Sequence, residues 1–322
     1  MRMSVRLRIV LALGVALAAA RARPDEIIQG VPSARTLNGH VFQVPSLLLG
    51  PFTPWQFGVN TLVGSGTTIA PTYDILGHSI GGQRYTIGSY GEEISASFRL
   101  TPDIALRLDI TGTLFSGTSG RGLLFVGGST QFGLTGGLTA GKNIGHSMRL
   151  SFVADFGIQP QYSVLIGNAV LHAVQTGVLS SSGLFSNVER LYGSPGLSYA
   201  WAPWPAFGLI AEARYIWTHR YSSNTVGTAQ GVSLGVGLGL DLEPLIHWPI
   251  GFQASYRGDI PAFDTGIAEV HQAGGGIYYT RRVRLQLGLE VNWRRGEIRP
   301  PTVLPSLVVN STTGSIVLHY YW

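Results

Sequence analysis

The strongest pattern in the chain is an alternation with a period of two. Val283, Leu285, Leu287, Leu289, Val291 and Trp293 alternate with Arg284, Gln286, Gly288, Glu290 and Asn292. Successive side chains of a strand point to opposite faces, so this run reads as a strand with one apolar and one polar face. Met148, Leu150, Phe152, Ala154 and Phe156 alternate in the same way with Arg149, Ser151, Val153, Asp155 and Gly157. So do Phe207 to Trp217, Ile250 to Arg257, and Val232 to Glu243, where Gly235, Gly237 and Gly239 share the polar face with Ser233, Asp241 and Glu243. Twelve strands are predicted, at 54–64, 88–100, 104–115, 129–140, 147–158, 193–202, 206–219, 230–243, 249–260, 270–280, 282–294 and 312–322. Boundaries read this way shift by ~2–4 residues, which keeps ten to fourteen strands open.

These segments are about the length a tilted strand needs to cross a bilayer, ~9–11 residues. The stretch from Val270 to Arg294 is almost unbroken and as one strand would run ~80 Å. The apolar band of a membrane barrel is only about 25 Å tall, so the chain is predicted to fold back at Thr280-Arg281-Arg282. Short connections at Thr101-Pro102-Asp103, Gly141–His146, Pro203-Trp204-Pro205, Pro244–Trp248 and Arg281 alternate with longer ones at 116–128, 160–192, 220–229 and 295–311. Membrane barrels have an even strand number with short turns at one end and long loops at the other. The expected fold is therefore all-β, a transmembrane antiparallel up-and-down β-barrel over residues 54–322.

Tryptophans fall at the predicted strand ends. Trp55, Trp201, Trp204, Trp248 and Trp322 lie at the short-turn end, and Trp217 and Trp293 at the other. Amphipathic rings prefer the membrane boundary, so these form two aromatic girdles. Ile316, Leu318, Tyr320 and Trp322 share one face of the last segment. This resembles the C-terminal strand of bacterial outer-membrane β-barrel proteins, which ends in an aromatic residue, usually Phe. The resemblance covers about ten residues. It implies insertion by the barrel-assembly machinery into the outer membrane of a Gram-negative bacterium, contact with outer-membrane lipid and lipopolysaccharide, and a periplasmic short-turn end. A soluble exported sandwich would also alternate, but its apolar residues fill one small core. Here nearly every strand carries a full apolar stripe.

Composition agrees. The chain has 12% charged residues and 44 glycines in 322, against an average near 7% glycine. Arg2, Arg6 and Arg8 precede or flank an apolar run, Ile9–Ala20, that is too short for a membrane helix and is laid out as a secretory signal peptide. Residues 1–20 are expected to be cleaved, after Ala20 or Ala22, leaving 21–53 as a periplasmic N-terminal segment or plug. Removing those three arginines takes the formal charge from +5 to +2, so the basic balance is no argument for nucleic-acid binding. There is no cysteine, which excludes disulfide scaffolds and thiolate sites.

With apolar faces toward lipid, the lumen is expected to be lined by Arg99, Arg107, Arg149, Arg214, Arg257 and Arg284, and by Glu93, Asp109, Asp155, Glu212, Asp241, Glu243, Asp259 and Glu290. Both signs on one wall predict cross-strand ion pairs. Either a polar pore or a lumen filled by its own ion pairs fits them. Eight-stranded barrels are filled and sixteen-stranded ones hold a channel; twelve lies between. The inward glycines 235, 237 and 239 are read first as easing curvature, and second as room for a ligand, an inserted loop or the N-terminal segment. The apolar, proline-punctuated stretch Arg35–Pro54 is a candidate plug, by analogy with N-termini in outer-membrane fatty-acid transporters. Loop 160–192, apolar over Val164–Leu179, is a candidate helix or folded cap.

Other chemistry is sparse. His78-Ser79 resembles the pair of outer-membrane phospholipases and deacylases, but no orienting group follows. Eight scattered histidines show no metal-ligand spacing, and no cofactor is implied. Arg220, Arg294, Arg295 and Arg299 gather at the outer strand ends; they are read first as ordinary solvated loop charge and second as contacts for lipopolysaccharide phosphates, which lie at that height. The expected function is non-enzymatic: a passive channel or transporter for small solutes. The alternatives are a closed structural or surface-interaction barrel and, more distantly, a lipid hydrolase or deacylase.

Overall fold

A computed structural model describes residues 35–73, 79–119, 125–164, 185–222, 226–261, 269–298 and 307–322. The expected signal peptide lies outside them. A small hairpin of β1 (Thr36–Leu37) and β2 (His40–Val41) comes first. Twelve long strands follow: β3 (Gln56–Tyr73), β4 (Ser79–Thr101), β5 (Ile104–Ser119), β6 (Phe125–Ile144), β7 (Met148–Val164), β8 (Phe185–Trp204), β9 (Phe207–Ser222), β10 (Val226–Asp241), β11 (Ile250–Pro261), β12 (Val270–Tyr279), β13 (Leu285–Ile298) and β14 (Leu307–Tyr321). Each pairs antiparallel with its sequence neighbour, and β14 returns to β3 with Val309 opposite Thr68 and Tyr321 opposite Gln56. The predicted architecture and strand count hold. Closure removes free edges, which is the condition for a sheet to lie in hydrocarbon.

The strands are longer than the alternation predicts, mainly at the long-loop end. β3 and β4 take up most of the predicted connection 65–87, β7 and β8 both ends of 160–192, and β9 and β10 most of 220–229. Alternation marks only the part of a strand whose outer face is apolar. Beyond it, backbone pairing continues through Gly-, Ser- and Thr-rich sequence that carries no such mark. The predicted contrast in loop length weakens accordingly: connection 223–225 is shorter than 242–249, which holds the one-turn helix α1 (Glu243–Ile246). Glu243 opens that helix and does not end β10.

The exterior is apolar on every strand. On β10, Leu234 is 48% exposed while its neighbour Ser233 is fully buried. Phe57, Ile94, Leu106, Phe132, Phe152, Leu197, Tyr215, Phe252, Ile277, Leu289 and Ile316 occupy matching outward positions on the other strands. So extended an apolar surface far exceeds the patches soluble monomers tolerate, and only lipid or detergent covers it. No helix among the described residues is long and apolar enough to cross a membrane; the strands do so. Refolded protein is expected to show β-rich circular dichroism and heat-modifiable gel migration in detergent. A soluble monomer without detergent would overturn the assignment.

At the short-turn end Trp55 packs within 6.1 Å of Trp322 and 6.0 Å of Phe98, and the Trp322 amide donates to the Trp55 carbonyl at 3.3 Å. The start and end of the barrel are thus clamped at one seam. Trp201, Trp204 and Trp248 are exposed at the same end, while Trp217 and Trp293 face outward short of the far ends of β9 and β13. Ile316, Tyr320 and Trp322 are exposed on the outer face of the last strand, and Leu318 partly so.

Candidate functional site: the occupied lumen

Residues 35–54, just before β3, run inside the barrel. An irregular segment in such a place must find a partner for each backbone polar group, and the inward-facing side chains supply them. Arg35 is buried at the short-turn mouth. Its Nη2 donates to the carbonyls of Val283 (2.8 Å) and Leu285 (3.3 Å), and its Nη1 to Phe42 O (2.8 Å) and Gln43 Oε1 (3.1 Å). The guanidinium also lies 4.1 Å from the centre of the Tyr321 ring, a cation–π contact. Asn38 and Gly39 turn the chain in the left-handed region, with φ of 47° and 80°. There Asn38 Nδ2 donates to Pro203 O at 2.8 Å, and the Asn38 amide to His146 O at 3.0 Å. Burial pushes the His40 imidazole below its ordinary value. Its Nδ1 donates to Pro205 O at 2.9 Å.

The segment then rises into the lumen and turns at Pro45–Leu48, where the Leu48 amide donates to Pro45 O at 3.1 Å. Glu290 accepts from the Ser46 amide (3.3 Å) and the Ser46 hydroxyl, and Asn292 Nδ2 donates to Ser46 Oγ at 3.0 Å. Glu212 Oε2 accepts from the Leu49 amide at 2.8 Å, and Ser198 Oγ donates to Leu49 O at 3.1 Å. Gln253 and Gln286 donate to the carbonyls of Gln43 and Val44. On the return, Arg149 Nε and Ser151 Oγ donate to Pro51 O at 2.7 and 2.5 Å. Thr53 Oγ1 donates to Pro102 O at 2.8 Å, and Ser97 Oγ to Pro54 O at 2.9 Å. The prolines at 45, 51 and 54 have no N–H, so the segment brings fewer donors that need partners.

The buried apolar cluster also sits inside. Leu37, Phe42, Leu48 and Phe52 pack on Ala200, Ala202 and Ile210, with Val44 and Leu47 against them. Leu48 and Pro45 occupy the groove left by the glycines of β10. A Cβ on Gly235 would stand 2.5 Å from Leu48 Cδ2, and one on Gly237 2.9 Å from Leu48 Cδ1. The preferred sequence-based account of these glycines, easing of curvature, is thus corrected: their space is filled by the segment. Gly208 likewise makes room, since a Cβ there would lie 2.4 Å from His40 Nε2.

Past the turn, charged groups pair across the wall. Arg107 binds Asp109 and Asp155, each at 2.7 Å. Arg214 binds Glu212 at 3.0 Å and reaches Asp155 at 3.8 Å. Arg257 binds Asp259 at 2.9 Å, and Ser233 Oγ donates to the same carboxylate at 2.6 Å. Two cavities flank the segment, of about 270 and about 150 Å³, and both have Ser46, Leu48 and Leu49 on their walls.

No family model and no curated protein matches the chain, but solved structures do. The transport unit of the autotransporter AIDA-I from Escherichia coli is 11% identical over 82% of this chain and 90% of that one, with a TM-score of 0.50. The fold is that of an outer-membrane β-barrel. Other similar structures include the translocator domain of the autotransporter NalP from Neisseria meningitidis (10% identity, 83% and 88% covered, TM-score 0.49). A Pseudomonas aeruginosa FadL homologue is another (11%, 84% and 91%, 0.44). The likeness is one of fold.

The charged residues predicted for the lumen of this outer-membrane barrel divide by height. Arg149, Glu212 and Glu290 hold the segment. Arg107, Asp109, Asp155, Arg214, Arg257 and Asp259 form the ion pairs beyond it, and Glu93 lines the smaller cavity. Arg99, Asp241 and Arg284 lie at the short-turn mouth. There Arg99 Nε donates to Thr101 O at 3.4 Å, and Asp241 Oδ1 accepts from the Glu243 amide at 3.0 Å. Arg284 is an exposed turn residue. Ser151, Ser198, Gln253, Gln286 and Asn292 complete the cradle. The alternation marks them as inward, but uncharged residues on a wall give no further sign of a partner. Ser79, between the predicted strands 54–64 and 88–100, opens β4 opposite Tyr73; His78 and, apart from Val164, the candidate cap 164–179 lie outside the described residues. Among the described residues no group of three metal-ligating side chains occurs.

Proposed function

We propose that this barrel is a channel for small solutes in the outer membrane of a Gram-negative bacterium, and that Arg35–Pro54 is its gate. The observation that carries this reading is the pair of cavities on either side of the segment, each walled by segment residues and by charged or polar groups of the barrel. A lumen filled for stability alone would be closed by its own ion pairs. Here a layer of chain, held by noncovalent bonds to exchangeable side chains, separates polar spaces in a barrel of intermediate width. Lipid and lipopolysaccharide would cover the exterior. Ile316, Leu318, Tyr320 and Trp322 would serve as the signal for the assembly machinery.

The chain has no cysteine, so a single engineered pair reports cleanly. Ser46→Cys with Asn292→Cys joins positions whose side chains are already in contact. Bridging them is expected to abolish openings in a planar bilayer, and reduction to restore them. Equal currents in the bridged and reduced forms would rule out the segment as gate. The apolar contacts of Leu37, Phe42, Leu48 and Phe52 favour a second reading, a permanently closed barrel acting through its outer loops. That reading expects silence in both forms.

A further inference from the structure

We infer that the larger cavity, beyond the turn of the segment, is a binding site for a small oxyanion, a solute bearing phosphate or carboxylate. This deepens the channel reading by naming its solute class. Arg190, Arg214 and Arg257 line the cavity against one carboxylate, Asp155, which Arg107 and Arg214 already engage. Arg190 on β8 stands directly opposite Arg220 on β9. Both lie on the inner face, two residues beyond the cavity-lining Tyr192 and Thr218. Arg294 on β13 adds a third like charge that acts on Arg190.

Like charges directly opposed on paired strands destabilise a sheet. Among the described residues no carboxylate lies within ion-pair distance of Arg190 or Arg220. The connections 165–184 and 223–225, which follow β7 and β9, contain no Asp or Glu, while 74–78 and 262–268 at the same end carry Asp74 and Asp264. Among the described residues, then, Arg190 and Arg220 are brought together without a carboxylate of their own. Arg214 on the same wall has a side chain only 4% exposed and is fixed by Glu212 at 3.0 Å and Asp155 at 3.8 Å, so its charge is held in place beside the cavity. Guanidinium groups present forked donors that match phosphate and carboxylate, and the hydroxyls of Ser194 and Thr218 line the same space. A volume of about 270 Å³, against roughly 30 Å³ for one water, admits such an ion with part of its hydration.

The test uses the mature protein refolded in zwitterionic detergent free of lipopolysaccharide, at low salt, with inorganic phosphate, succinate and glucose as probes in titration calorimetry. At least one anion is expected to bind and glucose not to. Arg190→Gln with Arg220→Gln is expected to weaken anion binding at least about tenfold, the size of one lost charge-assisted hydrogen bond. Thermal unfolding gives a second readout. The anion should raise the melting temperature of the wild type by linkage, while Arg190→Gln alone should raise it without anion and remove the anion's effect. No binding of either anion to the wild type, or undiminished binding to the double variant, would overturn the site. Neither readout involves current, so anion binding with a silent bilayer would defeat the channel reading and leave the site standing.

Discussion

Deleting residues 35–53 should turn a barrel that is closed most of the time into one that conducts steadily, with single-channel current raised at least tenfold. The closing pair of β14 with β3 begins at Gln56, so the deletion leaves every barrel strand and its partner intact. What it removes is the apolar wedge of Leu37, Phe42, Leu48 and Phe52 and the chain that Glu212, Glu290 and Arg149 hold across the lumen. Those three side chains would then face water and be free to line a path. The measurement is conductance of the refolded variant in a planar bilayer, with folding checked by heat-modifiable migration. A folded variant that stays silent would mean that the ion pairs of Arg107, Asp155 and Arg214 close the lumen by themselves, and the structural reading would replace the channel.

The second large effect is expected from filling the glycine groove. Gly235→Val with Gly237→Val places side-chain atoms where Leu48 now sits; the first added carbon alone would lie 2.5 Å from Leu48 Cδ2 and 2.8 Å from Glu212 Cγ. Overpacking of this kind costs about 1–3 kcal/mol per site, which shifts the docked population roughly 5- to 150-fold for each substitution. Valine favours strands over glycine, so β10 should pair as before. The variant is expected to fold, to conduct like the deletion, and to expose residues 35–53 to protease. Gly112→Val is the control, since a Cβ there meets nothing within 4 Å. Wild-type current and protease resistance in the Gly235/Gly237 variant would show that the turn does not seat on β10.

The candidate site was legible only in part. Alternation sorts side chains into two faces, so the inward position of Arg149, Glu212 and Glu290 can be read from β7, β9 and β13 one strand at a time. Which carboxylate meets which guanidinium cannot, because Arg107 on β5 and Asp155 on β7 are brought together by pairing through β6. Gly235 and Gly237 could be seen to face inward, but a missing side chain does not say what fills the gap. The apolar stretch around Leu47-Leu48-Leu49 could be seen to need burial, but not where. Neither feature identifies the other until the chain is folded.

The sequence by itself determined that this chain forms antiparallel strands, about how many, and which face of each meets lipid, because a period-two pattern is a local property and a membrane imposes it on every strand alike. It did not determine where the strands stop outside the lipid, since hydrogen-bonded pairing needs no apolar mark. Only the tertiary structure decided that the barrel closes at twelve strands through β14 and β3, that its buried apolar cluster lies inside the lumen, and that Arg190 and Arg220 stand opposite each other beyond the segment. Each of these depends on residues far apart in sequence, whose meeting is set by strand register and barrel closure.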